Sequence, residues 1–407
     1  MDPEEAFKEY QAQMQSFKCK KLVFKEFGDP LNVVHLEDCD VKEPYGNEVL
    51  VKMLLVPVNP ADINMIQGKY PVKPKLPATP GMEGVGEIFK TGFNVTRLAE
   101  GDRVILSGEP IGSWSSLALF EANDVIKVPK RVPIEIAAGL VINTVTAHRM
   151  LTDFVELGPG TNVIQNGANS ACGQNVVQLC KLWGLVSINI VRNRPNVEEL
   201  KKQLTDLGAN YVYTEEEFNA LDEKDFFFTR PKLALNCVGG PLLTRMLKFM
   251  APGATVVTYG GMSYKPITVP TTSFIFDDLT FKGFWLKKWN EDYRNKDKKE
   301  SMMNELFELS AKGFLHAPAH KFVPFEKFKE ALENTLSPKG LVGHKCILDF
   351  REIHAEQEKE WAKEREIRKA KEKEEIKRKG AIAKADLEKV MKEREKQKTE
   401  EKDKGKK

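Results

Sequence analysis

Residues 161–184 read TNVIQNGANSACGQNVVQLCKLWG, and this stretch decides the fold. NVIQN is a short apolar strand, GANSACG a turn of small residues, and GQNVVQLCKLW carries helical spacing that Gly184 is placed to stop at the C′ position. Downstream, the strands LVSINIVR, ANYVYT, LALNCVG, ATVVTYGG and LTFKGFWL follow, with a helix around NVEELKKQLTDLG. Strands alternating with helices predict a doubly wound parallel sheet covered on both faces. Upstream, from Lys20 to about Pro129, the chain reads as short Val- and Leu-rich strands (KKLVFKEF, EVLVKMLLVPV, GVGEIF, DRVILSG, DVIKVP) separated by Gly, Pro and Asn, a β-rich barrel or sandwich. IEIAAGLVINTVTAHRML reads as a helix joining the two regions. A late helix (ELFELSAKGFL) and two late strands (HKFVPF, GHKCILDF) return the chain to the β-rich part, so the class is α/β.

Composition breaks after Phe350. Residues 351–407 hold 21 Lys/Arg and 16 Asp/Glu, which leaves the first 350 residues with a net charge of −2 against +3 for the whole chain of 407. The body is therefore not a nucleic-acid binder by charge. The tail reads as a long solvated helix whose apolar residues are too sparse for a heptad seam, and its composition names no partner. No run approaches the 18 or so apolar residues of a membrane span. The six cysteines are scattered without a C-x-x-C pair, so neither a disulfide framework nor a zinc ribbon is expected and a reducing compartment fits. MDPEEAFKEY has neither a signal-peptide apolar region nor the character of a mitochondrial presequence.

Strand, tight turn and helix N-terminus in that order are what a dinucleotide pyrophosphate requires. Gly167 and Gly173 match the outer glycines of a G-x-x-G-x-x-G turn, with Ser170 in the middle. Asn169, Ser170, Ala171 and Cys172 are the expected contacts there, through a hydroxyl or amide on phosphate. About 20 residues on, where an acid would bond a ribose 2′-hydroxyl, the chain reads VRNRP. Arg192 and Arg194 flank Asn193, so a 2′-phosphate would be attracted, and NADPH is the expected cofactor.

Across about residues 17 to 350 the sequence resembles the medium-chain dehydrogenase/reductase superfamily. Within it, VNPADINMIQGKYP, VINTVTAHRML, VIQNGANSACGQNVVQLC, ALNCVGG, VTYGGM and FKGFWLKKW are similar to the 2-enoyl thioester reductases of mitochondria. In the zinc branch a Cys stands three residues before the Asp of the first loop and a His precedes the Glu of G-H-E. Asn59 and Met82 stand there, so no metal site is expected, and Asp62 and Glu83 read as structural hydrogen-bonding groups.

The resemblance implies a discontinuous GroES-like catalytic domain (17–145 and 300–350), a Rossmann NADPH domain (146–299) and the charged tail (351–407). It implies reduction of trans-2-enoyl thioesters on CoA or acyl carrier protein in fatty-acid synthesis, with hydride to the β-carbon and a proton from Tyr70, whose phenol is neutral at pH 7. It also carries over Asn143, the Tyr259, Gly260, Gly261, Met262 loop, the Phe284, Trp285, Leu286 stretch and Lys345 as cofactor-site residues. Phe284 and Leu286 read as strand interior, and His148 as helix packing. A homodimer and a mitochondrial location follow from the same resemblance, a cytoplasmic one from the visible N-terminus. The competing readings are a zinc-free quinone or alkenal reductase and a non-catalytic paralogue acting through its tail.

Overall fold

The computed structural model describes residues 15–108, 111–222, 229–337, 344–359 and 361–362. The apolar runs of the first third form β1 (Ser16–Phe24), β2 (Val34–Lys42), β3 (Glu48–Pro57), β4 (Val85–Thr91), β5 (Arg103–Leu106), β6 (Leu117–Glu121) and β7 (Val125–Lys127). β3 is central to the β-rich part: it pairs antiparallel with β4 along one edge and with β6 along the other. Its residues are mostly buried because Val49, Val51, Met53 and Leu55 face one side while Leu50 and Val56 fill the other. β2 was not expected, since VHLEDCDVK exposes a charged side chain at every second or third position and offers little apolar signal.

β1 and β2 pair in a register that sets Cys19 opposite Cys39, with Cα atoms 5.1 Å apart, and the two form a disulfide. This corrects the expectation from spacing. The partners are twenty residues apart in sequence, and only the strand register brings them together. Cys172, Cys180, Cys237 and Cys346 are free and buried.

The second sheet contains β8 (Asn162–Asn166), β9 (Val186–Val191), β10 (Tyr211–Thr214), β11 (Leu233–Asn236), β12 (Thr255–Thr258) and β13 (Thr280–Gly283). All six are parallel, in the order β10-β9-β8-β11-β12-β13, the doubly wound order whose chain reversal lies beside β8. Period-two alternation covers both faces. Ile164, Ile188, Ala234 and Val256 pack with Leu243 and Met246 of the helix Pro241–Leu247. Val163, Leu235 and Val257 pack with Val176 and Leu179 of the helix Ala171–Leu182. Each such aliphatic side chain contributes about 1.5 to 3 kcal/mol by its burial.

Two expected elements differ. LTFKGFWL is a strand only over Thr280–Gly283; Phe284 lies past its end and Leu286 opens a helix, Leu286–Glu291, so neither is strand interior. The partner of β13, β12, ends at Thr258, opposite Gly283, so the ladder stops there. The joining helix is also interrupted: Ile134–Ala138 is α-helical, Leu140–Thr144 is a π-helical turn, and Val145–Thr152 resumes the α-helix. Beyond the long helix Lys296–Ala311, β14 (His320–Pro324) and β15 (Lys345–Asp349) rejoin the β-rich sheet, with β15 antiparallel to β3. Gln174 ties the parts together, its Oε1 accepting from Ala319 N at 2.9 Å just before β14.

His148 packs as expected, buried against the Trp183 ring and 3.1 Å from Glu305, and burial pulls its pKa down. The expected tail helix starts at residues 351–359; residues 363–407 lie outside the described part. No described helix is long and apolar enough to cross a membrane.

Candidate active site

At the C-terminal end of β8 the chain turns with Gly167 at φ 62°, and a Cβ there would meet the Cys237 sulfur at 2.5 Å. A Cβ on Gly173 would meet Ala168 O at 2.6 Å, so the helix Ala171–Leu182 can approach the turn only with glycine at that position. Ser170 caps the helix: its Oγ accepts from Gly173 N at 3.0 Å. The hydroxyl keeps its own hydrogen to give to an anion. No acid stands in the first helical turn, so the positive helix end faces the cleft unopposed by a neighbouring carboxylate of its own.

Ala168 N donates to Ile190 O, which sets the end of β9 beside this turn. Arg192, Asn193 and Arg194 follow there, outside the cleft proper, at the adjoining sheet end. Arg194 Nε donates to Arg192 O at 3.4 Å, and burial, then the neighbouring Arg192 charge, lowers the Arg194 pKa. Two guanidinium groups thus stand at one strand end, with the Glu215 carboxylate near Arg192.

A cavity of about 330 Å³ opens between the glycine turn, the β-rich part and the segments after β12 and β13. Every expected site residue except Arg192, Asn193 and Arg194 lines it: Tyr70, Asn143, Asn169, Ser170, Ala171, Cys172, Tyr259, Gly260, Gly261, Met262, Phe284, Trp285, Leu286 and Lys345. On one wall the helix Pro60–Ile66 ends and Lys69 N and Tyr70 N both donate to Asn64 O, which fixes the loop carrying Tyr70. Across the cleft, Trp285 Nε1 donates to Tyr70 Oη at 2.9 Å, the rings edge to face. The indole fills an acceptor position of the phenol, so the hydrogen this hydroxyl has to give is its own.

The cleft floor is a buried polar cluster. Glu83 Oε1 accepts from Asn59 Nδ2 at 2.6 Å and from Asn143 Nδ2 at 3.4 Å, and Glu83 Oε2 accepts from Ile142 N at 3.2 Å. Asn143 belongs to the π-helical turn, which brings its side chain to this floor. Asp62 Oδ2 accepts from Asn59 N at 2.8 Å. Lys345 enters from β15, and its ammonium donates to Asn59 Oδ1. Burial pushes the Asp62 carboxyl up to about 7, and raises Glu83 against the pull of Lys345. Burial in turn lowers Lys345, opposed by Glu83 and Asp62. The ammonium thus acts on both carboxylates, each of which also accepts hydrogen bonds on the cleft floor. Among the described residues no group of three or more His, Cys, Asp or Glu could hold a metal ion.

Sequence reading missed several lining residues, among them Asn64, Gln174, Cys237, Tyr264 and His344. Cys237 could have been found from its position directly after β11, at the same sheet end as the glycine turn. Tyr264 carries no local signal; it sits in the left-handed region (φ 54°) and is 78% exposed. Burial raises the Cys237 thiol to about 11 and the Tyr259 phenol well above its usual value, so both line the cleft as neutral groups at pH 7.

The family description "Alcohol dehydrogenase GroES-like domain" matches residues 45–130, and "Zinc-binding dehydrogenase" matches residues 171–300. The glycine turn on a parallel sheet, facing a β-rich wall, together with these matches defines a medium-chain dehydrogenase/reductase. The mitochondrial enoyl-[acyl-carrier-protein] reductase of Rattus norvegicus is 43% identical over 331 residues, 81% of this chain and 88% of that protein. The chain belongs to the enoyl-[acyl-carrier-protein] reductase family. Two solved structures are similar, each with a TM-score of 0.75 at 32% identity over 82% of this chain and all of the other. One is the mitochondrial 2-enoyl thioester reductase Etr1p/Etr2p heterodimer from Candida tropicalis; the other is the complex of Etr1p with NADP and crotonyl-CoA.

Proposed function

We propose that this protein catalyses the NADPH-dependent reduction of trans-2-enoyl thioesters, on CoA or acyl carrier protein, to saturated acyl thioesters in fatty-acid synthesis. The names of its relatives support the acyl carrier, and the crotonyl-CoA bound in the Etr1p structure supports CoA. The observation that carries the reading is the Tyr70–Trp285 pair facing the glycine turn in one cavity. When bound, the reduced dinucleotide supplies a hydride, which goes to the β-carbon.

The chain's own residues do the rest. Ser170 and the amides opening its helix hold the pyrophosphate; Arg192 and Arg194 attract the 2′-phosphate, with Asn193 in place of a repelling acid. Asn143, the Tyr259–Met262 loop, Phe284–Leu286 and Lys345 surround the nicotinamide end. Met82 and Ile142 line the same wall and exclude water. Tyr70 holds a proton at Oη and delivers it to the α-carbon once hydride arrival has placed negative charge on the thioester. Burial raises the Cys237 thiol and the Tyr259 phenol, which makes both weaker acids for that step. The scheme uses no metal, because Asn59 and Met82 stand where the zinc branch has its Cys and His ligands.

The domains we assign are 17–145 with 300–350 for the β-rich catalytic part and 146–299 for the NADPH part. We assign a homodimer through the β13 edge, where Phe274, Ile275 and Phe276 are 54%, 64% and 75% exposed. Location in mitochondria follows the relatives.

Tyr70→Phe tests the chemistry. NADPH should bind unchanged while turnover of a short trans-2-enoyl-CoA falls about 100-fold or more, the range of general acid catalysis. Unaltered turnover would remove Tyr70 from the mechanism, and turnover of a quinone in preference to the enoyl thioester would overturn the substrate class.

A further inference from the structure

A second depression, about 590 Å³, opens on the outer side of the loops that wall the cleft. Its lining holds Arg245, Lys248 and Lys265, two threonines (Thr244 and Thr268), and no carboxylate. Arg245 is held in place: its guanidinium lies 4.8 Å from the Phe249 ring and donates to Leu221 O. Lys248 and Lys265 are exposed, and no ion pair holds either among the described residues. Three like charges thus line one concavity, with no carboxylate among its described lining residues, and such a concavity attracts anions.

Two segments carry residues of both the cleft and the groove. Residues 237–241 place Cys237 in the cleft lining and Gly240 and Pro241 in the groove; residues 259–268 place Tyr259–Met262 and Tyr264 in the cleft lining, and Lys265, Pro266 and Thr268 in the groove. The segments are packed on each other, for a Cβ on Gly239 would meet Lys265 O at 3.1 Å and Ser263 Oγ at 3.4 Å. At the junction, Tyr264 projects into solvent from its left-handed backbone, and Lys69, next to Tyr70, stands 5.9 Å over its ring. Tyr264 of the cleft lining is thus followed directly by Lys265 of the basic groove.

Resting on the enoyl thioester reading above, we propose that this groove binds the phosphate-bearing end of the thioester's carrier. The acyl group and thioester occupy the cleft, the pantetheine arm passes the Lys69–Tyr264 pair, and its phosphate ester sits among Lys248, Lys265 and Arg245. The shared chemistry is a phosphate ester on pantetheine, whether in CoA or on an acyl carrier protein.

The test is the double charge reversal Lys248→Glu/Lys265→Glu in the full chain, at two exposed positions outside the cleft. With a short trans-2-enoyl-CoA, KM should rise about tenfold, with kcat and the KM for NADPH unchanged. The same acyl group on N-acetylcysteamine, which carries no phosphate, should show no change. A matching loss with the carrier-protein thioester assigns the phosphate common to both; a loss confined to CoA assigns its nucleotide phosphates. An equal loss on the phosphate-free thioester, a rise in the KM for NADPH instead, or no change overturns the proposal. If the wild-type chain turns over no enoyl thioester, the reductase reading falls, and equilibrium binding of CoA alone to wild type and variant then decides the groove.

Discussion

Lys345→Met removes the ammonium that acts on Asp62 and Glu83 while keeping the length of the side chain. Both carboxylates are fully enclosed, whereas Lys345 keeps some surface on its cleft side. Breaking a buried pair costs about 3 to 5 kcal/mol, and the partial access of the lysine places this case near about 3. The defect must depend on pH. Lys345 pulls both carboxyl pKa values down, so its loss raises Asp62 beyond about 7 and Glu83 further above its usual range. An acid whose folded pKa exceeds its unfolded value binds more protons when folded, so stability falls as pH rises between the two values. Denaturant unfolding should thus show a small defect near about pH 5.5 and the full defect near about pH 8. Adding Glu83→Gln removes the stranded charge and should recover about 1 to 3 kcal/mol of coupling in a double-mutant cycle at the higher pH. Simple additivity of the two substitutions, or a defect equal at both pH values, would refute the charge-compensated cluster.

Trp285→Phe keeps the ring but removes the N–H that Tyr70 accepts; kcat should fall up to about tenfold with the KM for NADPH little altered, read by steady-state kinetics. Arg192→Gln/Arg194→Gln should raise the KM for NADPH about tenfold or more and leave that for NADH unchanged, the loss expected for charge-assisted bonds to a 2′-phosphate. In Asp62→Asn the fall in melting temperature from pH 5 toward pH 8 should flatten, because the wild-type carboxyl must ionise in a buried site near about pH 7; an unchanged slope would place the titration elsewhere.

The parallel sheet was legible because its strands are buried on both faces and read as apolar runs ended by glycines, and β8 is buried at every position. The glycine turn announced itself by small residues between a strand and a helix. The Tyr70–Trp285 bond joins residues 215 positions apart and has no local signature; the family resemblance, not spacing, placed both at one site. β2 escaped because it shows charged side chains outward, and the Cys19–Cys39 pairing depends on that same unseen strand. The π-helical turn that delivers Asn143 was hidden inside a stretch with ordinary helical composition, since a widened turn changes hydrogen bonding without changing residue type. Lys345 was expected near the cofactor, yet its place under Asn59 required knowing that β15 lies against β3.

That last adjacency orders events during synthesis. Asn59 and Lys345 are separated by 286 residues, and the strand delivering the lysine also completes the edge of β3. A nascent chain exposes Asp62 and Glu83 long before their counter-charge leaves the ribosome, and the intervening parallel sheet can assemble first as a unit. Any chain truncated before residue 345 lacks both the strand that pairs with the end of β3 and the cation that acts on Asp62 and Glu83.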